Sequence, residues 1–292
     1  MATIAKLCHN HNLENIAAVT AAVAIPPLVK LLGSGSEFDM QTGAALCSLA
    51  TCAENAVTIA AAGAIPRLVQ LLGPDTHPNT QFNAAAALKY LAANAANADT
   101  IAAAGAIPLL VQLIGPGCPD HMQTGAVGAL AELAKYDQNV FAVAAAGAIP
   151  LLVELLGPDY PADSQQMAAV TLSYHVADPW NAVAIMSAGA VPRLVQLLGP
   201  DSTADVQGMA AMALGLLAVN DENVPAAGAI PPLVQLLGPR SAVFQNTAAC
   251  TLANLAMSAE TAMLLLDAML LLVPETAMLL LDAMLLLVQS LH

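Results

Sequence analysis

The chain has 292 residues, of which 58% are hydrophobic and 3% aromatic, and its 7 Lys and Arg against 21 Asp and Glu give a formal net charge of −14. Proteins that bind nucleic acids neutralise phosphates with Lys and Arg, so this composition excludes a nucleic-acid partner. Anionic membrane surfaces attract the same basic residues and are disfavoured for the same reason. Partners with basic or apolar surfaces fit the charge better.

The cysteines and the first ten residues indicate the compartment. The opening sequence, MATIAKLCHN, contains no apolar signal region. The cysteines are sparse, odd in number and without a CxxC pair, which is typical of reduced thiols in an intracellular protein. We therefore expect a cytoplasmic or nuclear location. The five cysteines are Cys8, Cys47, Cys52, Cys118 and Cys250.

The first predicted element covers residues 3–16, TIAKLCHNHNLENI, and aligns with the later segment ALAELAKYDQNV. Its Cys8, His9 and His11 could contribute metal ligands together with Cys52, which lies in the equivalent loop further on. However, these residues have no recognised ligand spacing, and Cys8 falls where the related segments place a packing Ala. We therefore expect no metal and no cofactor.

From residue 23 onward the sequence is organised by an internal repeat. A GAIP-like tetrapeptide recurs at intervals of 40, 42, 42, 42 and 39 residues, and each copy is followed by LVxLL or a near variant and then Gly. The first Gly suits a helix end that needs positive φ, and the Pro suits the first turn of the next helix. The tetrapeptides begin at Val23, Gly63, Gly105, Gly147, Gly189 and Gly228.

A third segment completes each repeat with an Ala-rich helix, as in TQFNAAAALKYLA and MQTGAVGALAELA. Its apolar spacing predicts a buried face, so each repeat should consist of three helices. An Asp two or three residues before a recurring Gln is expected to cap this third helix at its N-terminus. These residues are Asp39, Asp120, Asp163 and Asp205.

The roughly 42-residue repeat, its GAIPxLVxLL second helix and its VQxxAAxALxxLA third helix together resemble the armadillo repeat. HEAT repeats are the near alternative, but they lack the Gly-Ala-Ile-Pro junction. The resemblance implies an all-α fold, a right-handed α-solenoid of about six full repeats with partial repeats at both ends. The solenoid is expected over residues 1–258, starting inside a third helix.

Armadillo solenoids bind extended peptides along the concave face of their third helices, and importin-α-like members carry there a Trp and, four residues on, an Asn. The resemblance implies that the partner-binding positions of this chain are those of the Asn, here called the groove column. The groove column consists of Ser48, Tyr90, Glu132, Tyr174, Leu216 and Asn254. The Trp positions, here called the small-residue column, are Ala44, Ala86, Gly128, Val170, Met212 and Cys250.

The groove column predicts the kind of ligand. Only Asn254 matches the family Asn and no residue matches the Trp, so an import receptor is not expected. The β-catenin-like mode, in which Lys and Arg hold acidic ligands, is poorly supported by seven basic residues. Tyr90 and Tyr174 flanking Glu132 favour an extended segment with apolar residues and an occasional Lys or Arg. At any single position of the groove column, the side chain could equally belong to an ordinary solvated helix face with no ligand.

The C-terminal segment, residues 259–292, contains a letter-for-letter duplication of TAMLLLDAMLLLV. Each copy would make a helix of about 20 Å, shorter than the hydrocarbon core of about 30 Å, so a membrane hairpin is disfavoured. The segment is expected to form duplicated leucine-rich helices as a degenerate last repeat or cap. Its candidate self-association residues are Leu264, Leu265, Leu270, Leu279, Leu280 and Leu285.

No catalytic residues are expected. His77, His121 and His175 lie in different repeats, with no Ser, Cys or carboxylate at a spacing that suggests a triad, and no glycine is followed by the Lys-Ser/Thr of a phosphate loop. The sequence therefore predicts a non-catalytic scaffold or adaptor that binds a protein segment. The alternative is an architectural subunit that self-associates, or docks into a larger assembly, through its apolar ends.

Overall fold

The computed structural model describes residues 24–33, 38–220, 229–238 and 242–255, which contain sixteen α-helices and no strand. The leucine-rich segment after residue 255 and the CHNH cluster lie outside these ranges. The chain divides into two compact units, Met1–Leu151 and Leu152–His292, called the N-terminal and C-terminal units below.

In the N-terminal unit, the described helices follow the predicted order of second, third and first helix. They are α1 (Ile25–Leu31), α2 (Asp39–Ala50), α3 (Ala53–Ala61), α4 (Ala64–Gln70), α5 (Pro78–Ala92), α6 (Ala95–Ala103), α7 (Ala106–Leu113), α8 (Asp120–Leu133) and α9 (Asp137–Ala145). Helix α10 (Ala148–Glu154) contains the boundary between the units.

The C-terminal unit repeats the same three-helix order. Its helices are α11 (Ala162–His175), α12 (Pro179–Ser187), α13 (Ala190–Leu197), α14 (Ala204–Asn220), α15 (Ile230–Leu236) and α16 (Ala242–Leu255). The third helices are the longest of each repeat. They are α2, α5 and α8 in the N-terminal unit and α11, α14 and α16 in the C-terminal unit.

Glycine sets the sharp angle between the first and second helix of each repeat. Gly63, Gly105, Gly147 and Gly189 all have φ of 81° or 82°, in the left-handed region that favours glycine. The amide of Gly63 donates to Ala60 O at 2.9 Å and ends helix α3, while Ala64 begins α4. The predicted helix-ending role of this residue type is confirmed at these four positions.

The predicted Asp caps on the third helices are wrong. Helices α2 and α8 begin at Asp39 and Asp120, with Phe38 and Pro119 at the N-cap, and α11 begins one residue before Asp163. Asp205 is likewise the second residue of α14. The helices start one or two residues earlier than capping would require, so these carboxylates lie in the first helical turn, where they interact favourably with the helix dipole.

The recurring Gln ties the start of each third helix to the end of the second. Gln81 Nε2, for example, donates to Gly73 O at 2.8 Å and to Leu72 O at 3.2 Å. This bond satisfies carbonyls that a helix end leaves without an intrahelical donor. In the first described repeat the equivalent position, 42 residues before Gln81, is occupied by Asp39. Its Oδ1 accepts a hydrogen bond from Gly33 N at 2.9 Å. The other such Gln residues are Gln123, Gln165, Gln207 and Gln245.

Two arginines join consecutive second helices. Arg67, on α4, donates from Nη1 to Leu32 O at 2.8 Å, just beyond the end of α1. Arg193, on α13, donates to Glu154 O at 3.0 Å, at the end of α10. Both guanidinium groups therefore stabilise the junction between neighbouring repeats.

Candidate functional site

The third helices pack against one another within each unit and so align the groove column. Helix α5 packs against both α2 and α8, and α14 packs against both α11 and α16. The third helices therefore lie side by side inside each unit, as expected for a solenoid. Asn83 Nδ2 on α5 donates to Met40 O on α2 at 3.0 Å, and Thr251 Oγ1 on α16 donates to Ala211 O on α14 at 2.8 Å.

Glycines on the third helices allow this close approach. A Cβ built on Gly125 of α8 would lie 2.9 Å from Cδ2 of Phe82 on α5, and one on Gly215 of α14 would lie 2.8 Å from Thr251 Oγ1. A larger residue at either position would have to push the neighbouring helix or its side chain away. The alignment of the groove column therefore depends on these small residues.

In the N-terminal unit, the groove column runs through Ser48, Tyr90 and Glu132 on three consecutive packed helices. Ser48 Oγ donates to Ala44 O at 3.1 Å within its own helix. Tyr90 is 36% exposed. The structure thus places an aromatic platform at the centre of this unit's column.

Glu132 forms an ion pair with Lys135, three residues further along the chain. Lys135 Nζ lies 2.7 Å from Glu132 Oε2, and the Glu132 side chain is 19% exposed. A ligand cation that pairs with Glu132 therefore has to compete with Lys135. The i,i+3 spacing of this pair could have been recognised in the sequence.

Lys89 is a groove residue that the sequence analysis did not identify. It precedes Tyr90 on α5, and its Nζ lies 5.7 Å from the centroid of the Tyr90 ring. Its side chain extends to α8, where a Cβ built on Gly128 would be 3.1 Å from Lys89 Cδ. Glycine in the small-residue column therefore leaves room for the lysine stem.

Two ionisable groups beside Lys89 stay neutral at physiological pH. Burial raises the pKa of the Cys47 thiol to about 11, although the nearby Lys89 ammonium acts in the opposite direction. Burial also raises the pKa of the Tyr90 hydroxyl, and the proximity of Cys47 adds to the increase. The surface around Tyr90 therefore carries a cation and no titrating thiolate or phenolate.

In the C-terminal unit, the groove column runs through Tyr174, Leu216 and Asn254. Tyr174 is partly buried, whereas Leu216 is 40% exposed. Asn254 Nδ2 donates to Gly215 O at 3.0 Å, so this amide holds α16 to α14. Asn254, which matches the family Asn, thus uses one N–H of its side-chain amide to bond the neighbouring helix.

Exposed aromatic residues also occur away from the groove column. Trp180 lies on the first helix α12 and is 84% exposed, and Phe141 on the first helix α9 is also exposed. They offer control positions for the groove, because they have similar chemistry on a different helix of the repeat.

The described residues offer little for other kinds of site. They contain no group of three His, Cys, Asp or Glu side chains placed to hold a metal ion. Among them, no single helix has the length and apolarity to cross a membrane. One pair, α6 with α7, passes that test by length and composition only when joined, and it is bent by 83°. The predicted self-association leucines, from Leu264 to Leu285, lie outside the described residues.

Comparison with known proteins identifies the class. The Armadillo/beta-catenin-like repeat family matches residues 52–93 and 220–257. The crystal structure of one engineered protein is 29% identical, covering 96% of this chain and 72% of its own, with a TM-score of 0.83. A second engineered protein is 31% identical, covering 81% of this chain and all of its own, with a TM-score of 0.73.

A third solved structure is a designed armadillo repeat protein in complex with the peptide (KR)4. It is 25% identical, covers 80% of this chain and 100% of its own, and has a TM-score of 0.70. A search of the curated proteins gives no match.

The chain is an all-α solenoid-type repeat protein, and it belongs to the armadillo-repeat family. The predicted family and fold class are confirmed. The armadillo fold is a scaffold that commonly binds peptides, as the designed relative does, and it is typically non-enzymatic.

Proposed function

We propose that this chain is a non-catalytic scaffold that binds an extended protein segment along the third-helix face, with the groove column as the contact surface. The observation that carries the proposal is the exposed Tyr90, placed on the central one of three packed third helices. The designed relative in complex with the peptide (KR)4 supports peptide binding by this fold.

The ligand is proposed to be largely apolar with an occasional Lys or Arg. Tyr90, Tyr174 and Leu216 offer apolar contact area, and the net charge of −14 attracts basic segments over longer distances. A ligand cation gains little from Glu132, because it must displace Lys135 and because exposed ion pairs contribute only about 0.2–1 kcal/mol. The tyrosines are therefore expected to dominate the binding free energy.

We also infer that the protein acts inside the cell. The support is chemical: the four described cysteines, Cys47, Cys52, Cys118 and Cys250, are free thiols. Free thiols persist in the reducing conditions of the cytosol and nucleus.

The test is a pull-down of partners and a selection of short random peptides, comparing the full chain with the double variant Tyr90→Ala, Tyr174→Ala. Removing two aromatic anchors should weaken binding by about tenfold or more. The matched control is Phe141→Ala, Trp180→Ala, which removes two exposed aromatic residues from first helices and should leave binding unchanged. If binding survives the tyrosine variant and is lost in the control, the first-helix side is the working surface.

A further inference from the structure

Helix α14 of the C-terminal unit presents large apolar side chains at its surface. Leu216 is 40% exposed and Val219 is 66% exposed, and Met212 is half-buried. Because these residues follow i, i+4 and i+7 spacing, they lie on one face of the helix, and they are called the apolar ridge below. Exposed apolar side chains grouped on one face are a candidate contact surface.

The apolar ridge differs from the corresponding positions of the neighbouring third helices. Two repeats earlier, on α8, these positions are Gly128, Glu132 and Lys135, of which the last two form an ion pair. Helices α11 and α16, which pack against α14, place Tyr174 and Asn254 at the position of Leu216 and carry no charged side chain at the described ridge positions. The ridge and its surroundings therefore fit an apolar segment and supply no carboxylate for a ligand Lys or Arg.

The chain itself contains a strongly apolar segment. Residues 276–288, the second copy of the C-terminal duplication, are all apolar except Thr276 and Asp282. As the helix expected from its sequence, this copy would be apolar on nearly every side and would have to be covered on more than one of them. Each repeat of a solenoid contacts only its neighbours, so the terminal repeat covers one side of the copy. A second apolar surface is required.

The second copy is too closely tethered to reach the apolar ridge of its own chain. As a degenerate last repeat, the first copy, residues 261–273, would follow α16, which packs against α14. It would then lie two helix spacings from α14, each about 8–10 Å. Only Pro274 and Glu275 join the two copies, and the three Cα–Cα steps across them span at most about 11 Å. The ridge within reach of the second copy is therefore that of another chain.

We propose that the apolar ridge of α14 receives the second copy from another molecule of this chain, so that two chains pair by exchanging their C-terminal segments. Each chain then supplies one segment and one ridge, which closes the pair with twofold symmetry. The docking surface is thus the third-helix face of the C-terminal unit, whereas the sequence indicated self-association through the ends alone. Pairing also covers Leu216, so other ligands have access to this part of the groove column only in the unpaired chain.

Sedimentation velocity of the full chain and two variants tests the receiving surface. The ridge variant, Leu216→Gln with Val219→Gln, should raise the dissociation constant of the pair by about tenfold or more, because apolar contacts are lost at both ridges. The control, Trp180→Gln with Val183→Gln, changes two exposed apolar side chains on the first helix α12 of the same unit and should pair as the full chain does. A full chain that stays monomeric, or a ridge variant that pairs as tightly as the full chain, would overturn the proposal.

Mixing two defective chains shows whether the segment docks on another molecule. The tail variant, Leu279→Ser with Leu280→Ser and Leu285→Ser, keeps the ridge but loses the apolar second copy, whereas the ridge variant keeps the second copy. Neither should pair alone, but an equimolar mixture should form a complex of one chain of each kind, which a misfolded variant could not do. No complex between two chains that retain the far-UV circular dichroism of the full chain would mean that the second copy packs within its own chain, against the proposal.

A milder variant covers the case in which the ridge variant does not fold. Val219→Gln alone changes a side chain that is 66% exposed and should raise the dissociation constant by about threefold. An unchanged constant would contradict docking on the ridge. None of these measurements includes a peptide ligand, so the proposed peptide-binding function is tested separately.

Discussion

At the residue scale, the groove column shows which contacts a sequence can predict. The exposure of Tyr90 follows from its position on an Ala-rich helix, and the Glu132–Lys135 pair follows from i,i+3 spacing. The reach of Lys89 onto Gly128 does not, because it depends on how closely α5 approaches α8. Contacts within one helix can be predicted from the sequence, whereas contacts between helices depend on how closely the helices pack.

The elevated pKa of Cys47 gives a prediction for its reactivity. A rise from 9.0 to about 11 lowers the thiolate fraction near pH 8 by about 100-fold, and the greater nucleophilicity of a more basic thiolate offsets at most about tenfold of this. Alkylation of Cys47 by iodoacetamide should therefore be about tenfold or more slower in the folded chain than in urea. Peptide mass spectrometry measures the rate, and Cys47→Ser assigns the signal; equal rates in both states would contradict the predicted burial effect.

At the scale of single helices, the sequence predicted the glycine junctions correctly but not the first residues of the third helices. The αL conformation at Gly63 and its equivalents follows from the chemistry of Gly, since other residues rarely adopt it. The start of a third helix depends on the preceding loop: Pro119 and Pro161 occupy the N-cap, so Asp120 and Asp163 fall inside the first turn. The hydrogen bond from Gln81 to Gly73 O was not predicted either, because it spans the corresponding loop of its own repeat.

The junction glycines can be tested separately from packing. A Cβ at Gly105 would meet no heavy atom within 4 Å, so Gly105→Ala should be destabilising only through its φ of 82°. The expected loss is about 1–2 kcal/mol in the free energy of unfolding, measured in urea. Gly105→Asn should lose clearly less, because Asn tolerates the left-handed region. Equal losses in the two variants would show that the cost is not conformational.

At the scale of the whole molecule, the 42-residue period was sufficient to predict the family and the fold class, because each repeat buries its apolar face against its neighbours. The period carries no information on where compact units divide. The division found here falls within helix α10, between Leu151 and Leu152.

The duplicated C-terminal segment is predicted to mediate self-association. Two copies of TAMLLLDAMLLLV provide more leucine than one terminal repeat can cover, whereas solenoid ends normally present a polar outer face. One copy is expected to pack on α16, and the other to fold back on the first or to meet a second subunit. Deletion of residues 274–292 should then reduce oligomerisation or aggregation, measured by sedimentation velocity.

A matched variant separates loss of an interface from loss of length. Replacing Leu279, Leu280 and Leu285 by Ser keeps all 292 residues but removes apolar area from the second copy, so it should lower the sedimentation coefficient as the deletion does. If both variants leave the hydrodynamic size per chain unchanged and only lower the free energy of unfolding, the second copy serves as an intramolecular cap. Self-association through the second copy would then be wrong.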